Sequence, residues 1–233
     1  MNIKNSQVRA QARRLLDDNI FGKDWLKGAL VQVMITALVF VITDLFSSFA
    51  SQIITILLRL ITVESLIIQF GIPLIIYLAL ILVTFALMGP ISVGTASVYI
   101  DLVRKNGNVK IRKFFYGFRD FVGNALLGLM YALQITLWSF FFVLPGIYIA
   151  YSYALVFHVK KDHPEYRWKT CLDESERLME GNRWKLFKLQ ISHLGWFLLS
   201  MAFVFFGSFW TAPYYNTSIA IFYDEVRASK GSR

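Results

Sequence analysis

Four long stretches of the chain are almost free of charge, and each is longer than a membrane crossing requires. Residues 65–100, 121–157 and 189–223 contain no Asp, Glu, Lys or Arg, and residues 26–49 contain one such residue after Lys27. A membrane-spanning helix needs about 20 mostly apolar residues. Only 17% of the residues are charged, against about a quarter in soluble domains. The pattern predicts an all-α fold, a polytopic bundle of transmembrane helices.

The cations lie between the apolar stretches, in four clusters. Residues 1–27, 104–119, 160–188 and 227–233 hold 23 of the 24 Lys and Arg residues, and Arg59 is the exception. Cytoplasmic loops carry the Lys and Arg excess of membrane proteins. We therefore expect all four clusters and both termini in the cytoplasm. Because the excess of cations in cytoplasmic loops accounts for the net charge of +9, no nucleic-acid partner is expected.

The lengths of the apolar stretches indicate how often each one crosses the membrane. Residues 121–159 and 186–226 each have the length of two crossings with almost no outer loop. Residues 28–103 allow two crossings, with 50–65 as an outer or re-entrant segment, or four crossings. Four would bury Arg59, at about 2.5–3.5 kcal/mol. Two crossings are therefore favoured, which gives about six spans arranged as three helical hairpins.

A repeated spacing predicts that the three hairpins follow one plan. Pro90, Pro145 and Pro213 each precede a cation by 14 or 15 residues. We expect Gly89 with Pro90, Pro145 with Gly146, and Pro213 to mark a turn or kink toward the outer end of each hairpin. A basic amphipathic stretch precedes each hairpin, which predicts helices lying on the cytoplasmic face.

Two aspartates share this spacing. Asp101 lies three residues before Arg104, and Asp224 lies three residues before Arg227, at the predicted cytoplasmic ends of descending helices. Residues three apart on a helix lie on one face, so we expect a structural ion pair or a bond to a surface helix. The alternative is a site that couples protons or cations, because acids within a membrane are functional candidates.

Asp44 and Arg59 form a further candidate pair near the outer end of the first hairpin, again expected to be structural. The sequence contains no HExxH, GxSxG or phosphate-binding glycine loop, and recognisable catalytic sets are absent. Its single cysteine, Cys171, and three scattered histidines suggest neither a disulfide nor a metal cluster. No enzymatic activity, cofactor or metal is expected.

We expect one integral membrane domain over residues 1–233. Its predicted segments are a cytoplasmic amphipathic segment (1–25), hairpin 1 (26–103, with the longer outer segment 50–65), a basic segment with hairpin 2 (104–160), an amphipathic surface helix with hairpin 3 (161–227), and a cytoplasmic tail (228–233).

Several stretches together resemble a known family. They read GPISVGTASVYIDLVRKNGNVKIRKFFYGFRDF, LPGIYIAYSYALVFHVKKDHPE, ESERLMEGNRWKLFKLQISHLGWFLL and APYYNTSIAIFYDEV. In this order they resemble the domain of unknown function family 975, which consists of bacterial integral membrane proteins. The resemblance implies a multi-pass protein of the bacterial cytoplasmic membrane. It implies no established activity and supplies no catalytic residues.

The sequence favours a non-catalytic role, as a scaffold, an accessory protein or an envelope-stress factor. The alternative is a carrier or binder of a lipid, peptide or other amphiphile, including immunity to membrane-active peptides. Such a carrier would use an aromatic-lined cleft, for example between residues 140–142 and 203–206. An intramembrane enzyme is a third possibility. The expected partners are the lipid bilayer and an unidentified membrane protein, and the oligomeric state stays open.

Overall fold

The computed structural model of the chain is helical throughout the part that it describes. It describes residues 5–16, 21–60, 66–104, 108–196, 198 and 206–231, and for residues 57–60, 66–70, 72, 206 and 208 the backbone alone. The helices are α1 (Asn5–Leu15), α2 (Lys23–Leu60), α3 (Leu66–Arg104), a 3-10 helix (Ile111–Phe118), α4 (Phe121–Phe141), α5 (Val143–Ser152), α6 (Val156–Asp162), α7 (Trp168–Met179), α8 (Arg183–Ser192) and α9 (Phe206–Gly231). No strand occurs in these ranges, so the all-α prediction is confirmed.

Four segments are long and apolar enough to cross a membrane, judged by length and composition. They are Lys23–Ile56, Pro73–Arg104, Phe121–Phe141 and Val143–Asp162. These segments lie in the ranges where the first four spans were expected. The last two expected spans stay a prediction, because residues 197 and 199–205 lie outside the described residues.

Two long helices occupy the range of the expected hairpin 1. α2 and α3 contain 38 and 39 residues, which at 1.5 Å per residue is about 57 Å each. Residues 50–60 form the end of α2, and no Gly or Pro interrupts the chain between Gly28 and Gly71, which favours this continuity. The number of crossings in 28–103 and the outer position of 50–65 stay predictions.

Of the three prolines, only Pro145 lies beside a turn of the chain, and the expected kinks at Pro90 and Pro213 stay a prediction. Pro90 and Pro213 lie inside α3 and α9. The chain reverses between α4 and α5 at Phe142, whose φ of −154° and ψ of 132° are extended, so Pro145 and Gly146 fall in the first turns of α5. Proline is tolerated there because the first N–H groups of a helix have no intrahelical partner.

Glycines bring α3 into backbone contact with its neighbours. A Cβ on Gly89 would lie 1.8 Å from the carbonyl oxygen of Asn124, and a Cβ on Gly94 would lie 2.1 Å from that of Phe114. Gly89 is therefore a contact point with α4 rather than a turn. Gly94 allows the 3-10 helix to lie along the last turns of α3.

The buried core lies at one end of the molecule. It joins α1, the first turns of α2, the 3-10 helix, α6, α7, α8 and the last turns of α3 and α9, a set that we call the basic end. Tyr99, Phe114, Leu155, Leu178 and Phe222 are among its fully buried side chains. The core holds together the segments that carry most of the cations.

The amphipathic helix α7 packs into this core. Its apolar residues Cys171 and Leu172 are buried with Leu127 of α4 and Val156 of α6. The apolar face was expected to lie on the membrane surface, and the structure corrects this expectation. Amphipathicity shows only that a face must be covered, and here the chain itself covers it.

The opposite part of the molecule exposes apolar side chains. Phe40 on α2 is 70% exposed, Ile75 on α3 is 67% exposed, and Phe140 at the end of α4 is 84% exposed. We call the exposed apolar parts of α2 to α5, together with Ile191, Leu194 and Leu198, the apolar zone. By contrast, no large apolar side chain is exposed in residues 149–183, all of which the structure describes.

Candidate functional site

Asp162, the last residue of α6, lies at the centre of a group of charged side chains. Its two carboxylate oxygens accept hydrogen bonds from Nη1 and Nη2 of Arg104 at 2.8 and 2.7 Å. One of them also accepts from Nη1 of Arg227 at 2.5 Å and from the hydroxyl of Tyr223 at 3.0 Å. The Asp162 side chain is only 5% exposed. Its charge is therefore held by residues from two other helices.

Arg104 joins Asp162 to a second carboxylate. Its Nε donates to both oxygens of Asp224 at 3.2 Å, and its Nη2 donates to Oδ1 of Asp224 at 2.7 Å. The guanidinium thus makes paired contacts with carboxylates on α6 and on α9, a geometry that only arginine provides. The last turn of α3 is tied to both helices by one side chain.

Asp101 extends the group to the 3-10 helix. Nζ of Lys113 lies 2.9 Å from one carboxylate oxygen of Asp101, and Nζ of Lys161 lies 3.3 Å from the other. We call the complete set the ionic cluster. Its members are Asp101, Arg104, Lys113, Lys161, Asp162, Tyr223, Asp224 and Arg227.

The ionic cluster is close to electrical balance, with four cations and three carboxylates. Each carboxylate already contacts at least one cation of the protein. A site for an exchanging cation would instead leave carboxylate oxygens open to the ion. The geometry therefore favours a cluster that holds α3, α6, α9 and the 3-10 helix together.

The structure brings Asp101, Arg104, Asp224 and Arg227 into one place, with partners on neighbouring elements. It does not bring Asp44 there, because Asp44 is exposed on α2, far along the chain from the cluster. The Arg59 side chain lies outside the described residues, so the expected pair of Asp44 and Arg59 stays a prediction.

Sequence reasoning missed Asp162, the central carboxylate. The repeated spacing placed an acid three residues before each arginine, and the middle repeat has no acid at that position. Asp162 instead follows Lys160 and Lys161 at the end of α6. An acid at a helix C-terminus, where the dipole disfavours it, was the available signal that a cationic partner must lie nearby.

A second feature, which was not predicted from the sequence, is a cavity of about 320 Å³ lined by both polar and apolar side chains. We call it the polar cavity after its hydrogen-bonding residues. It lies between α2, α3, α6, α8 and α9, about one helical turn from the ionic cluster. Gln190, which lines it, accepts a hydrogen bond from Tyr151 at 2.5 Å and donates one to Tyr215 at 2.9 Å. Two of the polar lining residues, Gln190 and Tyr215, are thus held in place by hydrogen bonds.

The side chains at the basic end show little sign of nucleophilic activation. Burial raises the pKa of the Cys171 thiol to about 11, and the thiolate is the nucleophilic form of cysteine. Within the part of the chain that the structure describes, no three His, Cys, Asp or Glu residues are grouped to hold a metal ion.

Comparison with known proteins finds a family similarity in the C-terminal part of the chain. Residues 141–230 match the family described as Protein of unknown function (DUF975). Over these residues the chain is similar to that family. The match confirms the resemblance from α5 through most of α9, a stretch that includes Asp162, Asp224 and Arg227. No curated protein and no solved structure matches the chain.

Proposed function

We propose that this DUF975 chain is a multi-pass protein of the bacterial cytoplasmic membrane, with its basic end in the cytoplasm, and that it acts without catalysis as a scaffold, accessory or envelope-stress protein. Its basic end is the docking part, and its apolar zone is the membrane anchor. The partner is another protein of the membrane or its inner surface.

One observation carries this proposal, the division of the surface into two parts. Apolar side chains are exposed along α2 to α5, where Phe40 and Ile75 are more than half exposed. A soluble protein rarely leaves so large an apolar surface open, whereas lipid would cover it. The exposed surface of α7 carries charged residues instead, among them Asp173 and Arg177, as expected for a surface in water.

The ionic cluster supports a docking role for the basic end. Arg104 and Asp162 fix the relative positions of α3, α6 and α9, and α7 is packed on this unit through buried residues. A surface held in this way is preorganised, so a partner binds it without an ordering cost. A protein whose only role is to occupy space in the bilayer would need no such rigid charged surface.

The orientation is tested by cysteine labelling in intact cells. Glu165 has a side chain that is 63% exposed at the basic end, and Gly231 ends α9. Glu165→Cys and Gly231→Cys should react with a membrane-impermeant maleimide only after the cells are permeabilised. The wild-type chain, whose Cys171 is buried, measures the background. Labelling of either variant in intact cells would contradict the orientation.

The docking role is tested by photo-crosslinking in the living cell. A photoreactive amino acid at Asp173, on the exposed face of α7, should give discrete protein adducts. The same amino acid at Phe140, which is 84% exposed in the apolar zone, is the matched control and should give lipid adducts. Adducts at Asp173 should decrease when Asp162→Asn loosens the basic end. Equal adducts from both positions, or none from Asp173, would refute the docking role.

A second candidate function is a carrier or binder of a lipid, peptide or other amphiphile, including immunity to membrane-active peptides. The observation that favours it is the polar cavity beside the apolar zone. The aromatic cleft expected from the sequence does not support it, because residues 203–205 lie outside the described ranges and Phe140 to Phe142 are exposed.

A further inference from the structure

The polar cavity is lined by side chains from five helices. About 320 Å³ of space is within the range of small-molecule sites, which is about 300–1,000 Å³. Its hydrogen-bonding lining residues include Gln32, Ser92, His158, Gln190, Tyr215 and Asn216. These residues are far apart in sequence, so the fold brings their polar groups together around one space.

The lining carries no fixed charge. None of the fifteen residues around the cavity is Asp, Glu, Lys or Arg, and every one of them belongs to the described part of the chain. A charged group that entered would lose its hydration without gaining a counter-charge, which costs several kcal/mol or more. The cavity therefore selects an uncharged occupant.

The cavity lies at the border of the apolar zone. Ile35 and Gln190 line it, and close to them on the same helices Val33 and Ile191 are 40% and 51% exposed. On its other side, Tyr99 and His158 precede the ionic cluster by about one turn. The cavity therefore lies between the ionic cluster and the exposed apolar surface that we assign to lipid.

We propose that this cavity binds the head of an uncharged amphiphile, a molecule with hydroxyl and ester or amide groups and an apolar tail that lies along the apolar zone. The head occupies the space between α2, α3, α6, α8 and α9. This assignment rests on the second candidate function, and it can fail while the docking role of the basic end stands.

The size and lining of the cavity suit a small uncharged head. Its volume of about 320 Å³ lies near the lower end of the range of small-molecule sites. The glycerol unit of a diacylglycerol, with its free hydroxyl and two ester groups, is small and carries no charge. A phosphate would bring a charge into a lining that has no counter-charge.

The test uses the full chain in lipid nanodiscs, with dioleoylglycerol as the probe and dioleoyl phosphatidate as its charged counterpart. Native mass spectrometry measures how much of each lipid the protein retains. We expect dioleoylglycerol to be retained and phosphatidate to be retained at least about tenfold less, a factor that corresponds to about 1.4 kcal/mol. Equal retention of both lipids would overturn the proposal, because the lining would then not discriminate charge.

Two variants locate the site. Ala154 lines the cavity, so Ala154→Leu should fill it and lower dioleoylglycerol retention about tenfold. Ala79, exposed on α3 away from the cavity, provides the matched control Ala79→Leu, which should change nothing. Gln32→Leu removes a polar group with little change in volume, and it should weaken retention even if Ala154→Leu fails to fold.

Two further outcomes would also overturn the proposal. Retention of dioleoylglycerol that is unchanged in Ala154→Leu and Gln32→Leu would place the lipid elsewhere on the apolar zone. No retention by the wild-type chain, together with higher thermal stability of Ala154→Leu, would show that the cavity contains only water.

Discussion

The replacement of Asp162 by asparagine is the sharpest test of the ionic cluster. Asparagine keeps the shape of the side chain but removes the charge that faces Arg104 and Arg227. It also turns one acceptor oxygen into a donor, which then opposes the N–H groups of those arginines. We expect Asp162→Asn to insert into the membrane normally and to unfold more easily than the wild-type protein.

The exposure of the partners sets the size of the effect. Breaking a fully buried ion pair costs about 3–5 kcal/mol, and breaking an exposed pair costs about 0–1 kcal/mol. Asp162 is 5% exposed, but Arg104 and Arg227 are 32% and 45% exposed, so water can hydrate the arginines that lose their partner. We therefore expect a loss of about 2 kcal/mol, which for a chain of this length lowers the melting temperature by roughly 4–8 °C.

Thermal unfolding in detergent, followed by circular dichroism, measures this loss. Asp173→Asn, on the exposed face of α7, is the matched control and should melt like the wild-type protein. A double-mutant cycle should give a larger coupling of Asp162 with Arg104, which binds both carboxylate oxygens, than with Arg227, which contacts one. An unchanged melting temperature, or a larger coupling with Arg227, would refute the role given to this carboxylate.

Two further predictions concern packing and burial at the basic end. Gly94→Ala should lower stability by about 1–3 kcal/mol, because its Cβ would meet the carbonyl oxygen of Phe114. Gly195 has open space around it, so the control Gly195→Ala should be neutral. Equal melting temperatures of the two variants would contradict the close contact at Gly94. Burial raises the pKa of the Cys171 thiol to about 11, so the thiol stays protonated until the pH approaches this value. Cys171 should therefore stay unmodified by iodoacetamide at pH 8 and react only near pH 11 or after denaturation. Rapid alkylation of the folded protein at pH 8 would show that the thiol is accessible and ionised.

The helices could be predicted from sequence because their signal is local. A long apolar stretch needs a helix in a membrane wherever the rest of the chain lies, and four segments long and apolar enough to span one appear in the structure. The continuity of α2 was also readable, since no Gly or Pro lies between Gly28 and Gly71. The expectation that residues 50–65 lie on the outer side of the membrane stays a prediction.

The partners of the charged residues could not be predicted, because pairing depends on which helix ends meet. Spacing identified Asp101, Arg104, Asp224 and Arg227 as related positions. It offered a neighbour three residues away or an unnamed residue of a surface helix as the partner, whereas Arg104 reaches carboxylates 58 and 120 residues away. The polar cavity was hidden for the same reason, since its lining comes from five helices and no segment of the sequence carries it.

The position of the cavity beside the ionic cluster makes the two candidate functions separable. Asp162→Asn loosens the helix ends that bound the cavity, so it should reduce both the adducts formed from Asp173 and the retention of dioleoylglycerol. Ala154→Leu fills the cavity without touching a charged residue, so it should reduce lipid retention and leave the adducts intact. If Ala154→Leu also removed the adducts, an occupied cavity would be required for docking, and binding and docking would be one function rather than two.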